Sequence, residues 1–330
     1  MRIAIVKDWP GYKLERQWPT HPPTDLSDVE FDLRSTDNAD FVIALNGPPH
    51  DIAVNCAPDK IWALMHEPPT PYYLPVHDGQ PAFSRVYTTA SHYRDQRHIP
   101  FFGALEWHID RSYDQLAAAK YPDKSRALSW ITSNANENDG HNLRLKFLRR
   151  LQKNGLPFDL FGRGFTPIED KWDGIAPYRY SIAFENFADD LYWSEKLTDC
   201  FLGFATPFYF GTETIDRYFP KGSYIRIDPD DPHVFQKMRA RIEEGFHESN
   251  IDALTEARDL CLNRYNTLFY IAREALSYRP AAALPPQKVL LLKAPPFGPP
   301  STRWKSHLQQ RTRRLRKRLW RGVRRSLGLI

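Results

Sequence analysis

Short apolar segments that end in polar or proline-containing residues recur along the first 122 residues of the chain. They have the length and composition of buried strands, and one weaker strand lies in a region rich in Pro and Asp. Their positions are 2–6, 30–33, 41–45, 60–65 and 85–89. Segments able to form helices lie between them, as in chains that build parallel sheets. The pattern predicts a first α/β domain over residues 1–122.

The same alternation starts again after a polar link at residues 121–124. The predicted elements are a strand at 127–132, an amphipathic helix at 141–153, strands at 158–161 and 224–227, and two helices across 233–278. Gly155 is expected to cap the first helix at its C-terminus. Asp230 or Asp231 is expected to cap the helix that begins near Pro232. These elements predict a second α/β domain over residues 123–278.

Residues 178–211 are the densest part of the second domain, because the apolar period changes there from strand to helix and back to strand. Alternating apolar residues at 180–184 predict the first strand, and polar residues are concentrated between the end of this strand and the start of the helix. In open α/β sheets, ligands bind at the carboxyl ends of strands. Glu195 and Lys196 lie in the first turns of the helix, where the positive end of its dipole favours an anion such as a diphosphate.

The composition of the chain changes after residue 278. Seven prolines between residues 279 and 300 predict a semi-extended linker. Residues 301–330 hold eleven Lys and Arg and no acid, whereas the rest of the chain holds 34 basic and 40 acidic residues. Trp and Leu recur in this tail near helical spacing, which predicts a basic amphipathic helix on an anionic membrane surface. An arginine-rich helix that binds nucleic acid or a protein is the alternative; no other feature of the chain points to nucleic acid, so we expect none as a partner.

No metal-binding or redox pattern is present in the sequence. The three cysteines are scattered without a C-x-x-C pair, and the histidines lack ligand spacing. Asp228-Pro229-Asp230 has the D-x-D spacing of metal-dependent transferases, but helix capping explains it better. We therefore expect no metal and no cofactor. The N-terminal apolar run of five residues is too short for a signal peptide or a membrane span, which favours a cytoplasmic location.

The stretch at residues 184–211 has an uncommon pattern: FEN, five residues, Y-x-x-E-K, an apolar helix and T-P-x-Y-x-G. It resembles the donor-site signature of the α-1,3/4-fucosyltransferase family, glycosyltransferase family 10. The resemblance is densest over residues 127–232 and thinner over 62–68 and 83–102. It implies the GT-B fold, in which two Rossmann-like domains face each other across a cleft, with residues 1–122 on the acceptor side and residues 123–278 as the nucleotide-sugar donor domain. It also implies a bacterial-type inverting fucosyltransferase, a hexosyltransferase that uses GDP-fucose and needs no metal for its chemistry.

Inverting sugar transfer needs a base that takes the proton from the acceptor hydroxyl. Glu67 is the candidate, because it follows a buried strand at the carboxyl edge of the predicted sheet. Its His66-Glu67-Pro68 context resembles the segment that holds the catalytic carboxylate of the family. Asp8, after the first strand, is the rival by position.

The departing diphosphate needs cations that neutralise its charge. Lys196 of the Y-x-x-E-K motif is the first candidate. Arg144, near the start of the 141–153 helix, is the second, because a guanidinium can bind a diphosphate with two parallel hydrogen bonds. The family has an arginine three residues before an aromatic residue, as Arg144 and Phe147 stand here. Arg163, between two glycines, is a weaker candidate.

The resemblance implies donor-binding roles for five further residues. Glu195 would hold the ribose hydroxyls of the nucleotide. Asn186 and Tyr192 would contact the diphosphate or the fucose. Ser133 and Asn134 would line the nucleotide pocket at the end of the first strand of the donor domain.

Two positions depart from the pattern of the family: Ser181 stands where Tyr or Asn is usual, and Phe187 turns the usual FENS into FENF. They leave open a different nucleotide sugar in the same fold. A non-catalytic, membrane-peripheral binding protein is the other alternative. The expected acceptor is a glycan of a lipopolysaccharide, a capsule or a lipid-linked saccharide, with protein glycosylation as a further setting. The tail at 301–330 would hold such an enzyme as a peripheral protein at the inner face of the cell membrane.

Overall fold

The structure, a computed structural model, describes residues 1–7, 13–102 and 106–295. The rival base Asp8 and the predicted basic helix at 301–330 lie outside the described residues.

The first part of the chain forms a six-stranded parallel sheet. The strands of this part are β1 (Arg2–Lys7), β2 (Glu30–Asp32), β3 (Phe41–Leu45), β4 (Ile52–Cys56), β5 (Ile61–Leu64), β6 (Arg85–Thr88) and β7 (His98–Pro100). The sheet order is β2-β1-β3-β5-β6-β7, and β4 lies outside it. Strands β3 and β5 are apolar and buried throughout because both faces of a parallel sheet are covered. Their carboxyl ends, after Leu45 and Leu64, meet at one edge.

The second part forms a five-stranded parallel sheet. Its strands are β8 (Arg126–Ile131), β9 (Asp159–Phe161), β10 (Tyr178–Phe184), β11 (Thr206–Phe210) and β12 (Ile225–Arg226), in the order β12-β11-β10-β8-β9. Two parallel sheets in separate α/β units confirm the predicted fold class and its two Rossmann-like units, the arrangement of a GT-B protein.

The helices cover the sheets and connect the strands. They are α1 (Leu74–His77), α2 (Tyr113–Ala118), α3 (Asp139–Asn154), α4 (Glu195–Leu202), α5 (Val234–Glu243), α6 (Phe246–Ser249), α7 (Ile251–Asp259) and α8 (Thr267–Ser277). Short 3-10 helices lie at Leu14–Gln17, Thr24–Leu26, Pro58–Lys60, Lys171–Gly174 and Ile215–Arg217, and a π-helix at Leu260–Arg264. None of the helices in the described ranges combines the length and the hydrophobicity of a membrane-spanning segment.

The prediction of two helices across residues 233–278 was wrong in the number of helices and in the residue at which the first one begins. Four helices and a π-helix replace the two predicted helices. Gly245, with a φ of 70°, ends α5 in a left-handed turn, and Asn266 starts α8 by accepting the backbone N–H groups of its first turn. Helix α5 begins at Val234, and Asp231 accepts the N–H of His233 just before it instead of capping a helix at Pro232. The C-cap at Gly155 is confirmed, with a φ of 74°.

Two segments pack across the boundaries predicted at residues 122 and 278, which themselves stay predictions. Helix α8 buries Leu268, Phe269 and Ile271 in the core of the first sheet. Trp107 and Ile109, which precede the boundary at 122, pack in the core under α4 of the second unit. Each fully buried side chain of this size contributes about 1.5–3 kcal/mol, so these crossings tie the two units together.

The predicted proline-rich linker contains a strand that was not predicted from the sequence. Strand β13 (Gln287–Leu291) pairs antiparallel with β4, with Val289 opposite Val54. The apolar residues 289–291 of the linker belong to this strand, which buries Leu291 against the first unit. The chain is therefore anchored to the first unit again before residue 296.

Candidate active site

Arg144 lies in the first turns of α3 and is buried between the ends of two strands. One terminal nitrogen donates to the side-chain oxygen of Asn186, after β10. The other donates to the carbonyl oxygen of Ser133 at 3.1 Å, to the Ser133 hydroxyl at 3.2 Å and to the carbonyl oxygen of Ala135 at 3.3 Å. Strands β8 and β10 are parallel neighbours, which brings Ser133 and Asn186 to one edge of the sheet. The structure thus brings together three residues predicted for the donor site.

A glycine allows this arrangement. A Cβ atom at Gly140, in the first turn of α3, would lie 1.6 Å from the carbonyl oxygen of Asn186. No side chain fits there, because backbone stands directly opposite the helix. The close approach sets the start of α3 against the loop after β10 and so fixes Arg144 beside Asn186.

The Arg144 guanidinium keeps one hydrogen-bonding group unused. Its Nε is buried and has no hydrogen-bond partner in the described part of the chain. Burial lowers the pKa of Arg144, and Arg163 nearby adds to this, but a guanidinium stays charged in proteins. A buried cation with an unused N–H group fits an anionic ligand.

Glu185, the glutamate of FEN, is fully buried and organises the start of α4. Its carboxylate accepts from the backbone N–H of Ser194 at 2.8 Å and from the Ser194 hydroxyl at 2.8 Å. Ser194 is in turn the N-cap of α4, and its hydroxyl oxygen accepts from the N–H of Lys196. The Lys196 Nζ lies 3.4 Å from the Glu185 carboxylate. Glu185 therefore positions both the helix cap and the motif lysine.

Lys196 and Glu195 form an ion pair at the start of α4, with Nζ 3.3 Å from Oε1. Burial lowers the pKa of Lys196, but Glu195 and Glu185 raise it by more, so the lysine is charged. Burial likewise raises the pKa of Glu195, but Lys196 lowers it well below its ordinary value. The expected position of both residues at the helix N-terminus is confirmed. Their contacts with a nucleotide stay predictions.

A second layer of charged residues supports this pair, and the sequence reasoning missed it. Lys171 lies 2.8 Å from the buried carboxylate of Asp199, which also accepts the backbone N–H of His108. The His108 ring lies 3.7 Å from Glu195. Burial lowers the pKa of His108 to about 3, helped by Lys171, so its ring is neutral. The helical period gave no signal for it, because Asp199 lies opposite the apolar face of Leu197 and Phe201, yet α4 buries this side as well.

The remaining residues predicted for the donor site lie in the segments next to Arg144 and Lys196. Tyr192 is buried directly before α4. Asn134 is exposed, and its backbone N–H donates to the carbonyl oxygen of Arg163 at 3.0 Å. Gly164 lies against the Asn134 side chain, and its φ of 84° suits a glycine. The loop at 162–164 therefore stands beside the predicted nucleotide pocket.

The two departures from the family pattern have plain structural settings. The Ser181 hydroxyl lies inside the sheet, 3.1 Å from that of Ser129 on the neighbouring strand. The ring of Phe187 packs edge-on to Tyr192, with 5.9 Å between centroids. Ser181 is thus a sheet residue, whereas Phe187 stands next to the motif tyrosine.

Glu67 lies on the first unit, three residues after strand β5 ends at Leu64. Its side chain is partly exposed. The negative charge of Glu67 contributes to raising the pKa of Tyr192, after burial and the charges of Glu185 and Glu195. The charge of the candidate base therefore acts on a residue of the predicted donor motif. Its role as base stays a prediction.

The backbone of Glu67 is held by His77, a fully buried residue of α1. The Nε2 atom of His77 lies 2.9 Å from the Glu67 carbonyl oxygen, and Nδ1 lies 2.6 Å from the hydroxyl of Thr88. A carbonyl oxygen only accepts, so Nε2 carries the proton and Nδ1 accepts from Thr88. Burial lowers the pKa of His77 to about 4, which keeps the ring neutral.

Over residues 1–7, 13–102 and 106–295, no group of three or more His, Cys, Asp or Glu side chains could hold a metal ion. The expectation that the protein uses no metal stays a prediction.

Comparison with known proteins supports the sequence resemblance. Residues 121–241 match the family model described as "Glycosyltransferase family 10 (fucosyltransferase) C-term". The resemblance is thereby confirmed over this range, which contains all seven predicted donor-binding residues. Glu67 lies outside it.

Curated relatives include the 4-galactosyl-N-acetylglucosaminide 3-alpha-L-fucosyltransferase 9 of Homo sapiens. It is 28% identical over 130 residues, which cover 38% of this chain and 35% of the relative. The Mus musculus enzyme of the same name is 28% identical over 112 residues, which cover 32% of this chain and 30% of the relative. The matched stretch thus spans about a third of the length of these relatives.

Two solved structures illustrate more distant similarities. An alpha1,3-fucosyltransferase with GDP has a TM-score of 0.45 at 14% identity, covering 84% of this chain and 91% of that chain. T4 phage BGT in complex with its UDP-glucose substrate has a TM-score of 0.45 at 9% identity, covering 84% of this chain and 100% of the other.

Proposed function

We propose that the protein transfers L-fucose from GDP-fucose to a glycan hydroxyl with inversion, a proposal supported by the match of residues 121–241 to the C-terminal model of glycosyltransferase family 10. The observation that carries the proposal is the pair of cations at one sheet edge. Arg144 is held by Ser133 and Asn186, and Lys196 is held by Glu185 and Ser194. Both are buried or partly buried and both stand at the carboxyl ends of parallel strands, where ligands of α/β proteins bind.

The two cations bind the diphosphate and stabilise the charge that it gains as it leaves. Both positions are fixed in advance by hydrogen bonds within the protein, so little reorganisation is needed when the charge develops. The N-terminus of α4 adds its dipole and its backbone N–H groups on the same side. Glu195 accepts from the ribose hydroxyls, since its low pKa keeps it ionised.

Glu67 acts as the general base. The acceptor oxygen forms the new bond to the anomeric carbon of fucose while its proton passes to Glu67. The bond between that carbon and the diphosphate oxygen breaks, and its electron pair leaves with GDP. His77 supports this role, because it fixes the backbone at Glu67 through a neutral hydrogen bond.

The acceptor in this proposal is a saccharide such as the 4-galactosyl-N-acetylglucosaminide named for the relatives, carried by a lipopolysaccharide, a capsule or a lipid-linked glycan. No metal or other cofactor takes part. The basic segment at 301–330 binds an anionic membrane surface and holds the enzyme at the cytoplasmic face, where such glycans are built. A vesicle-binding assay with residues 301–330 deleted tests this part, and retained binding contradicts it.

Calorimetric titration with GDP, UDP, GDP-fucose, GDP-mannose and UDP-glucose tests the donor. We expect guanine-selective binding, with GDP affinity reduced at least about tenfold in Lys196→Ala, because charge-assisted hydrogen bonds contribute about 1.5–3 kcal/mol. Lys146→Ala, an exposed lysine of α3, is the control and should bind GDP like the wild type. Preference for another nucleotide would overturn the fucosyl donor, and binding of none by the folded protein would overturn the transferase.

A further inference from the structure

A cavity of about 220 Å³ lies between the two units, and none of the predicted site residues lines it. The first unit contributes the segment after β6 and the strand β7, including Thr88 and Pro100. The second unit contributes Asp190 and Leu191. Pockets for drug-sized ligands measure roughly 300–1,000 Å³, so this one suits a smaller ligand of about one sugar ring.

The cavity lies close to segments of both units that take part in the proposed reaction. Thr88, which lines it, donates to His77, and His77 donates to the carbonyl oxygen of Glu67. One imidazole ring therefore separates the cavity wall from the backbone of the candidate base. On the other side, Leu191 directly precedes Tyr192 of the donor motif, whose pKa responds to the charge of Glu67. The cavity thus adjoins both the segment that carries the candidate base and the segment that carries the donor motif.

The walls of the cavity combine apolar surface with a polar rim. Ala90, Pro100 and Leu191 offer aliphatic surface. Tyr93 and His98 stack with ring centroids 3.9 Å apart and planes 5° apart, which makes a rigid wall. A pyranose has the matching character, since its C–H faces are apolar and its hydroxyl groups point outward.

The rim carries one exposed charge of each sign. The Arg94 guanidinium donates to the carbonyl oxygens of Ser91 at 2.5 Å and Tyr93 at 2.8 Å and forms no ion pair within the described ranges. The Asp190 carboxylate is exposed, and the described part of the chain offers it no hydrogen-bond donor. A donor and an acceptor of opposite charge on one rim suit neutral hydroxyl groups better than an acidic sugar.

We propose that this cavity binds the acceptor, holding one neutral pyranose ring beside the hydroxyl that receives the fucosyl group. The proposal rests on the proposed function, because an acceptor site needs a transferase. Asp190 accepts from hydroxyl groups of the ring, Arg94 donates to its oxygens, and Leu191 covers its apolar face. Asp190 and Arg94 are specificity-determining residues and take no part in proton transfer.

The test compares Asp190→Asn with Asp123→Asn, which removes the same charge at an exposed position in the link between the units. GDP release from GDP-fucose is measured without acceptor and with N-acetyllactosamine, methyl β-galactoside or methyl β-glucuronide. Asp190→Asn should raise KM for the best neutral acceptor about tenfold, with kcat and GDP affinity unchanged. Asp123→Asn should behave like the wild type. An acceptor KM unaffected by Asp190→Asn overturns the inference, and so does a wild type that uses the glucuronide best.

A second variant keeps the inference testable by filling the space. Ala90→Leu places three extra carbons in the cavity and should abolish stimulation by the neutral acceptors while GDP still binds. Its GDP titration also reports folding, because none of the predicted donor-binding residues lines the cavity. Full stimulation in folded Ala90→Leu overturns the inference. A wild type that splits GDP-fucose but is stimulated by no neutral saccharide overturns it as well, whereas failure to bind GDP at all overturns the proposed function.

Discussion

The two sides of the proposed site are built with opposite kinds of interaction. On the second unit, Arg144, Lys196, Glu195 and Glu185 are charged groups held in place by other buried polar groups. On the first unit, Glu67 is partly exposed, and its surroundings are fixed by a neutral histidine and a threonine. A site for a diphosphate needs cations arranged before the ligand arrives. A base needs a carboxylate within reach of a hydroxyl group, and its scaffold needs no charge.

The largest effect is expected where a buried carboxylate of the donor side is removed. Glu185→Ala leaves Lys196 and the Ser194 N–H without their buried acceptor, and breaking a buried ion pair costs about 3–5 kcal/mol. Denaturant unfolding measures this loss in the free energy of unfolding. Glu248→Ala, which breaks an exposed pair 3.6 Å from Arg179, is the control and should cost less than about 1 kcal/mol. Equal losses in the two variants would contradict the central position given to Glu185.

The next effect separates charge from geometry at Arg144. Arg144→Lys keeps the positive charge but cannot reproduce the forked contacts to Asn186 and Ser133, so GDP affinity should fall about tenfold. Arg149→Lys changes an exposed arginine of the same helix and should leave GDP affinity as it is. Calorimetric titration with GDP decides, and wild-type affinity in Arg144→Lys would reduce Arg144 to a structural residue.

A smaller effect is expected from the close contact at Gly140. Gly140→Ala forces α3 away from the carbonyl oxygen of Asn186 and should destabilise the protein by about 1–3 kcal/mol, as overpacking does. The same movement separates Arg144 from Asn186, so GDP binding should weaken too. Asn142→Ala, exposed in the same helix, serves as the control for both readouts. Unchanged unfolding and GDP binding in Gly140→Ala would show that the approach is not required.

The smallest effect is expected on the pH dependence of the free energy of unfolding, through the neutral His77 of the first unit. Because burial lowers the pKa of His77 to about 4 from its ordinary 6.5, the folded protein binds fewer protons than the unfolded chain between these values. The stability that depends on neutral His77 is complete above pH 6.5 and is lost as the pH falls towards 4. In His77→Gln, unfolding free energy should therefore fall less steeply across this window, by up to about 1 kcal/mol per pH unit.

The measurement is denaturant unfolding at several pH values between 4 and 7, with exposed His233→Gln as the control. The comparison of slopes isolates His77 from the other buried histidines, which are present in all three proteins. Equal slopes in the wild type and His77→Gln would mean that the ring is protonated in the folded protein at these pH values.

The difference between the two units also explains which parts of the molecule could be predicted from the sequence. The donor-side motif lies in one βαβ unit, so strand and helix periods place Glu195 and Lys196 at a helix N-terminus, where the structure has them. Arg144 comes from a separate helix, and only its motif context identified it. The donor side of the site could therefore be predicted from short stretches of sequence.

The supporting residues came from distant parts of the chain and had no local pattern. His77 reaches Glu67 across ten residues, and Lys171 reaches Asp199 across 28. Helix α8 was read as part of the second unit because it follows it in sequence, yet it packs on the first sheet. Strand β13 was hidden in a proline-rich segment, since its partner β4 lies more than 200 residues earlier. Such pairings depend on tertiary packing, which periodicity does not report.

The division of the site into a donor-binding unit and a base-supplying unit is tested most directly by Glu67→Gln. GDP affinity by calorimetry and fucosyl transfer from GDP-fucose are measured on the same preparation. The account predicts nearly unchanged GDP affinity and a transfer rate reduced about 10²–10⁴-fold, the usual contribution of a general base. Near-normal transfer by Glu67→Gln would contradict it.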